Sequence, residues 1–166
     1  MIGVAILGFG VVGSGVAEVL TINSDKITQS TSSEISLKYI LDVRTFPGSP
    51  FEKLMVSDFS VIEADPEVKV VVETIGGTGV AYEFTKRALA AGKSVVTSNK
   101  ELVSTRGLEL LKIAFENNAS YMFEASVGGG IPIIRPIKQC LTADKICEVY
   151  GILNGTTNYI LTEMIK

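Results

Sequence analysis

The sequence predicts an α/β fold, a doubly wound parallel sheet, on three observations. Short apolar runs alternate with stretches of helical spacing, and the first run ends in a glycine-rich turn that opens a helix. With 166 residues, 46% of them hydrophobic, the chain has the apolar content to bury a real core. Helices placed between strands act as crossovers, which are right-handed and lay successive strands parallel.

Ile2 to Leu7 is a continuous apolar run bounded by glycine, as expected of a strand buried on both faces. After Gly8 the spacing becomes helical, with Val12, Val16, Val19 and Leu20 on one face. Asn23 to Glu34 is rich in Ser and Thr and reads as a surface excursion. Leu37 to Leu41 is predicted as the second strand and Val68 to Val72 as the third, reached through the turn-like Asp65-Pro66. Ala81 to Ala91 reads as a helix with Ala81, Phe84, Ala88 and Leu89 on one face and Gly92 at its C-cap. Ser94 to Thr97 is the fourth strand, and Leu108 to Phe115 is a helix with Leu108, Leu111 and Phe115 in register. Ser120 to Phe123 is the fifth strand.

The alternation then stops at Gly128-Gly129-Gly130. Pro132 is expected to open a helix, and Pro136 to loosen or kink it one turn later. Ile146 to Leu153 reads as one more strand, and Asn154-Gly155-Thr156-Thr157 as a turn into a helix that runs to Lys166. These features divide the chain near Gly130 into residues 1–130, one complete domain, and residues 131–166, the opening of another.

Composition excludes several functions. A net charge of −3 with scattered basic residues leaves no electrostatic footprint for nucleic acid. The N-terminus has no basic region before its apolar strand, and no apolar run approaches the ~18 residues of a membrane span, so a cytoplasmic protein is expected. Cys140 and Cys147 are too few and too casually spaced for a disulfide framework or a zinc site. Histidine is absent, which removes a Ser-His-Asp triad and any histidine-ligated metal from this span. Chemistry here falls to lysine, carboxylate, hydroxyl or backbone groups.

Gly8-Phe9-Gly10-Val11-Val12-Gly13 matches G-x-G-x-x-G directly after a strand and at the start of a helix. Gly8 permits the tight turn, Gly10 lets a pyrophosphate approach the backbone, and Gly13 lets the helix pack close to the strand. The free N–H groups of the helix N-terminus then hold the phosphates. This is the phosphate loop of a Rossmann-type dinucleotide-binding sheet. At the end of the second strand, Asp42 is suited to accept ribose hydroxyls from NAD and Arg44 to pair with the 2′-phosphate of NADP. The two point in opposite directions, and the choice of NADP or NAD stays open.

Three more stretches follow the third, fourth and fifth strands: Glu73-Thr74-Ile75-Gly76-Gly77, Thr97-Ser98-Asn99-Lys100, and Glu124-Ala125-Ser126-Val127-Gly128-Gly129-Gly130-Ile131-Pro132. In an open parallel sheet all three would line one crevice with the phosphate loop. Together with Gly151-Ile152-Leu153-Asn154-Gly155-Thr156-Thr157-Asn158-Tyr159-Ile160-Leu161, their order and spacing resemble homoserine dehydrogenases along the whole chain. The resemblance implies NAD(P)-linked interconversion of L-homoserine and L-aspartate 4-semialdehyde, in the pathway to threonine, methionine and isoleucine. It implies that Thr74 contacts the cofactor, and that Lys100 lies near the nicotinamide and the substrate, where an ammonium would stabilise the oxygen as hydride moves. It also implies a monovalent cation, Na or K, at Glu124, Val127, Gly129 and Ile131, and a polar lining from Thr156, Thr157 and Asn158. Residues 131–166 would begin an α+β substrate and dimerisation domain. The acidic homoserine ligands and a second lysine would lie beyond them, with homo-oligomers formed through that domain, so this chain alone is expected to be inactive. Two other readings are another NAD(P)-dependent amino-acid or semialdehyde dehydrogenase, and a non-catalytic nucleotide-binding module.

Overall fold

A computed structural model describes residues 1–151 and 155–166, with only the backbone of Thr156. Six parallel strands form one sheet: β1 (Ile2–Leu7), β2 (Ile35–Leu41), β3 (Met55–Val56), β4 (Val68–Glu73), β5 (Ser94–Thr97) and β6 (Tyr121–Met122). Their order is β3-β2-β1-β4-β5-β6, so the winding reverses between β1 and β4. That reversal opens a crevice at the carboxyl ends of the two central strands.

β1 explains why its sequence carries no polar alternation. Ala5 and Leu7 join the larger core cluster with Phe59, Val71, Leu89 and Leu110, whereas Ile6 joins Phe9, Ala17 and Ile40 on the other face. Between the strands run α1 (Val11–Ile22), α2 (Ser24–Thr31), a 3-10 turn (Glu52–Leu54), α3 (Phe59–Ala64), α4 (Val80–Ala90) and α5 (Lys100–Glu116). After β6 come α6 (Ala125–Gly128), α7 (Ile134–Gln139) and α8 (Gly155–Ile165). Among the described residues no helix is long and apolar enough to cross a membrane.

The structure corrects several expectations. α1 buries Gly13 and Ala17, while Val12 and Val19 are each 52% exposed, because the glycine contact turns the small-residue side to the sheet. The Ser/Thr-rich excursion holds α2, and β3 and α3 were not foreseen. α5 begins at Lys100 rather than Leu108 because Asn99 caps it, and it buries Leu102, Gly107, Leu110 and Ala114. Leu108 and Phe115 consequently face outward. Pro132 precedes α7, and Pro136 sits in the first turn of that helix, where its missing N–H breaks no intrahelical bond. No strand forms over residues 146–151, and the remaining residues of that expected strand lie outside the described ones. The α4 face and the left-handed Gly92 after it (φ 71°) are as expected, save that Thr85 joins the buried side.

At the other end of the sheet Asp65 ties β2 to the turn before β4. Its carboxylate accepts from Lys38 Nζ (2.7 Å), Tyr39 Oη (2.9 Å) and the Glu67 amide (2.8 Å). The Lys38 hydrogen bond, above all, holds the Asp65 carboxyl down at about 2. A carboxyl lowered on folding stabilises the fold above its unfolded value and loses that contribution as pH falls toward the folded one. The melting temperature is therefore expected to drop between pH 4 and 2 more steeply in the unaltered chain than in Asp65→Asn, as thermal melts at each pH will register.

Candidate functional site

The glycine turn is built by close approach. Gly8 has φ 94°, and a Cβ there would lie 3.0 Å from the Thr74 carbonyl oxygen. A Cβ on Gly13 would stand 2.0 Å from the Gly8 carbonyl oxygen and 2.9 Å from Thr74 Oγ1. At Gly10, by contrast, a Cβ would meet nothing within 4 Å, leaving the backbone open to the crevice. Gly10 is the N-cap of α1 and offers no side-chain acceptor, so the first-turn N–H groups need one from outside. Phe9 contributes only its backbone, because its ring is buried against Phe46 and Phe51, with centroids 5.0 and 5.9 Å away.

Asp42 fastens this turn to the end of β2. Its carboxylate accepts from the Phe9 amide (2.7 Å) and from the Arg44 amide, Nε and Nη2 (each 2.9 Å). Those bonds, the Arg44 side chain's first, hold the Asp42 carboxyl well below the usual carboxylate range. Arg44 lies over the Phe46 ring, with its side chain 59% exposed against 6% for Asp42. The two residues that sequence reading set in opposition are thus one ion pair.

On the other side of β1, a second set of bonds joins the loops after β4 and β5. Thr74 Oγ1 donates to the carbonyls of Leu7 (3.0 Å) and Gly8 (2.9 Å), locking the β4 loop under the phosphate turn. Glu73, fully buried, accepts from the Ile75 and Gly76 amides and from Thr97 Oγ1. Asn99 donates to the Gly77 carbonyl and accepts from the Leu102 amide, which caps α5. A cavity of about 1030 Å³ follows, lined in part by Thr74, Gly76, Ser98, Asn99, Lys100, the residues from Ala125 to Gly129, Ile131 and Ile133. Lys100 is the first residue of α5 and exposed.

The family model for the homoserine dehydrogenase NAD-binding domain matches residues 8–124, and the model for homoserine dehydrogenase matches residues 132–166. The chain belongs to the homoserine dehydrogenase family. It is 42% identical over 167 residues to the Bacillus subtilis homoserine dehydrogenase, covering 98% of this chain and 38% of that protein. The crystal structure of a homoserine dehydrogenase from Thiobacillus denitrificans superposes with a TM-score of 0.88 at 39% identity, again over 98% of this chain and 38% of that one. A hyperthermophilic archaeal homoserine dehydrogenase in complex with NADPH matches 82% of this chain and 47% of its own, with a TM-score of 0.66 at 27% identity. The chain therefore spans about 38% of the length of the curated relatives it matches. These matches do not favour a different dehydrogenase or a non-catalytic module.

Within this homoserine dehydrogenase domain, the cavity brings together only some of the expected residues: Thr74 and Lys100 line it, whereas Gly8 to Gly13, Asp42 and Arg44 do not. Gly8 to Gly13, Asp42 and Arg44 gather at the β1 and β2 ends, and Thr74 and Lys100 at the β4 and β5 ends. Val127, Gly129 and Ile131 line the same cavity. The Glu124 carboxylate is spent differently from the expectation that it neutralises a cation. It accepts from the amides of Ile133, Ile134 (2.7 Å) and Arg135 (2.7 Å), binding the start of α7 and lowering the Glu124 carboxyl. Thr157 and Asn158 stand in the first turns of α8, while Asn154 and the Thr156 side chain lie outside the described residues. Sequence reading missed the roles of Glu73 and Asn99. Their signals were an acid two residues after the buried Val71, and an Asn immediately before a helix.

Proposed function

We propose that this chain holds NADP or NAD for the exchange of hydride between L-homoserine and L-aspartate 4-semialdehyde, with Lys100 beside the reacting oxygen. The observation that carries it is Thr74, which bonds the Gly8 carbonyl of the glycine turn and lines the cavity that has Lys100 on its wall. When bound, the nicotinamide would supply the hydride acceptor, or in the reverse direction the donor, for the carbinol carbon. In the reducing direction the aldehyde oxygen gains charge, which the Lys100 ammonium stabilises. A cation at the first position of a helix opposes the dipole by roughly 0.3–1 kcal/mol, which supports a role other than holding α5 together. Arg44, the exposed partner of the Asp42 pair, is the group an incoming 2′-phosphate meets first, which favours NADP.

A boundary near Gly130 between the dinucleotide domain and a substrate domain belongs to the same reading, and the ranges of the two family matches support it. So do a homo-oligomer, a cytoplasmic setting and no nucleic-acid partner, the last in keeping with a net charge of −3. A monovalent cation at Glu124, Val127, Gly129 and Ile131 would be held by main-chain carbonyls, since the Glu124 carboxylate is committed to α7. The test is a calorimetric titration of the chain with both nucleotides beside a homoserine assay. Because the chain spans 38% of its relatives' length, saturable nucleotide binding without turnover is the expected result. Absence of binding to either nucleotide refutes the reading.

A further inference from the structure

Glu73 ends β4 with its side chain fully buried, and its partners are dipoles rather than a cation. One oxygen accepts from the amides of Ile75 (2.8 Å) and Gly76 (3.1 Å), the other from Thr97 Oγ1 (2.5 Å). All three partners donate, and the side chain accepts from each. Thr97 Oγ1 in turn accepts from the Asn99 amide at 2.9 Å, and Asn99 Nδ2 reaches the Gly77 carbonyl at 2.7 Å. The loop after β4 and the turn before Lys100 are thus one hydrogen-bonded unit centred on Glu73.

Burying a polar carboxyl group carries a desolvation cost, and an apolar side chain would fill the space at less. What a carboxylate does there, and a leucine does not, is fix two backbone segments at once. Those segments include Gly76 (φ 84°), which lines the cavity with bare backbone, and Gly77 (φ 69°) beside it. The sheet order decides which half of the ligand they meet. Asp42 and Arg44 mark the adenosine side at β2, so a dinucleotide crossing the phosphate turn lays its nicotinamide toward β4 and β5.

We propose that Glu73 is a positioning residue for the nicotinamide half of the cofactor, acting through the β4 loop and the Thr97–Asn99 turn that sets Lys100. The proposal rests on the dinucleotide reading above and adds a role separable from it. Glu73→Gln puts an amide NH₂ against either the two backbone N–H donors or the Thr97 hydroxyl, which breaks one side of the link between the segments. It is expected to weaken NAD⁺ and NADP⁺ binding at least about ten-fold, while ADP-ribose and 2′-phospho-ADP-ribose, which lack nicotinamide, change by less than about two-fold.

Thr97→Val, which removes the bridging hydroxyl, shifts affinity in the same selective direction, and Thr97→Ser recovers most of that loss. This pair carries the test if Glu73→Gln does not fold. Calorimetric titration with the four nucleotides reads the result. A selective loss for the nicotinamide nucleotides supports the role. Equal losses for whole and truncated nucleotides, or no loss, overturn it while leaving the nucleotide site standing. Failure of the unaltered chain to bind any of the four overturns the dinucleotide reading itself.

Discussion

Gly13→Ala is expected to lower the melting temperature and the nucleotide affinity together. The added methyl would stand 2.0 Å from the Gly8 carbonyl oxygen, which is backbone and has no rotamer to yield. It would also crowd Thr74 Oγ1, whose bonds to the Leu7 and Gly8 carbonyls hold the β4 loop in place. Either α1 moves off the sheet or the turn opens, and both displace the first-turn N–H groups. Overpacking of this kind costs about 2–3 kcal/mol, which for a domain of this size is a fall of about 5–10 °C. Nucleotide binding should weaken at least ten-fold, roughly 1.4 kcal/mol or more. A thermal melt indistinguishable from that of the unaltered chain would show that helix and strand are not in the contact described.

The second large effect concerns Lys100. In a homoserine-oxidising protein that carries this chain as its dinucleotide domain, Lys100→Ala is expected to lower kcat on the order of 10²-fold or more. That is the scale of losing one preorganised donor to a developing oxyanion. Lys100 also borders the cavity beside Thr74 and Gly76, so nucleotide affinity can change too, but by less than kcat. Steady-state kinetics beside a nucleotide titration separates the two. A variant that keeps kcat and loses only cofactor affinity would make Lys100 a binding residue and leave the oxyanion without its cation.

Much of this was legible in the sequence for reasons that the structure makes plain. β1 and β4 are buried against helices, so their apolar runs stand out. The phosphate turn is legible because close approach at Gly8 and Gly13 admits no side chain, which forces the glycine pattern itself. What failed was the assignment of helix faces. In α1 the inward side is Gly13 and Ala17, small because the helix sits close, so periodicity picked Val12 and Val19, which face outward, along with Val16, which does pack against the core. In α5 the true start lies at the Asn99 cap, and a register read from Leu108 and Phe115 points away from the core.

Strand β3 has two residues, too few to set any period. Candidate residues stood out where they belong to a local pattern, as in the glycine turn. They were hidden where the role lies in long-range bonds. Glu73 meets Thr97 across 24 residues, and Asp42 meets the Phe9 amide across 33. The Asp42–Arg44 pair shows a further limit. Two charges read separately gave opposite preferences, whereas in the fold one anchors the other and the turn together.

Gly10→Val puts to the test a dinucleotide lying across the carboxyl ends of β1 and β4 with its pyrophosphate on the start of α1. Gly10 has φ −84° and ψ −161°, a backbone that valine adopts without strain, and a Cβ there meets no protein atom within 4 Å. The substitution therefore spares the fold and places its methyl groups only in the path of a ligand. Calorimetric titration with NADP⁺ and NAD⁺ should give saturable binding to the unaltered chain and affinity at least about ten-fold weaker in Gly10→Val, with the melting temperature of the free protein unchanged. Equal affinity in the two proteins would contradict the account.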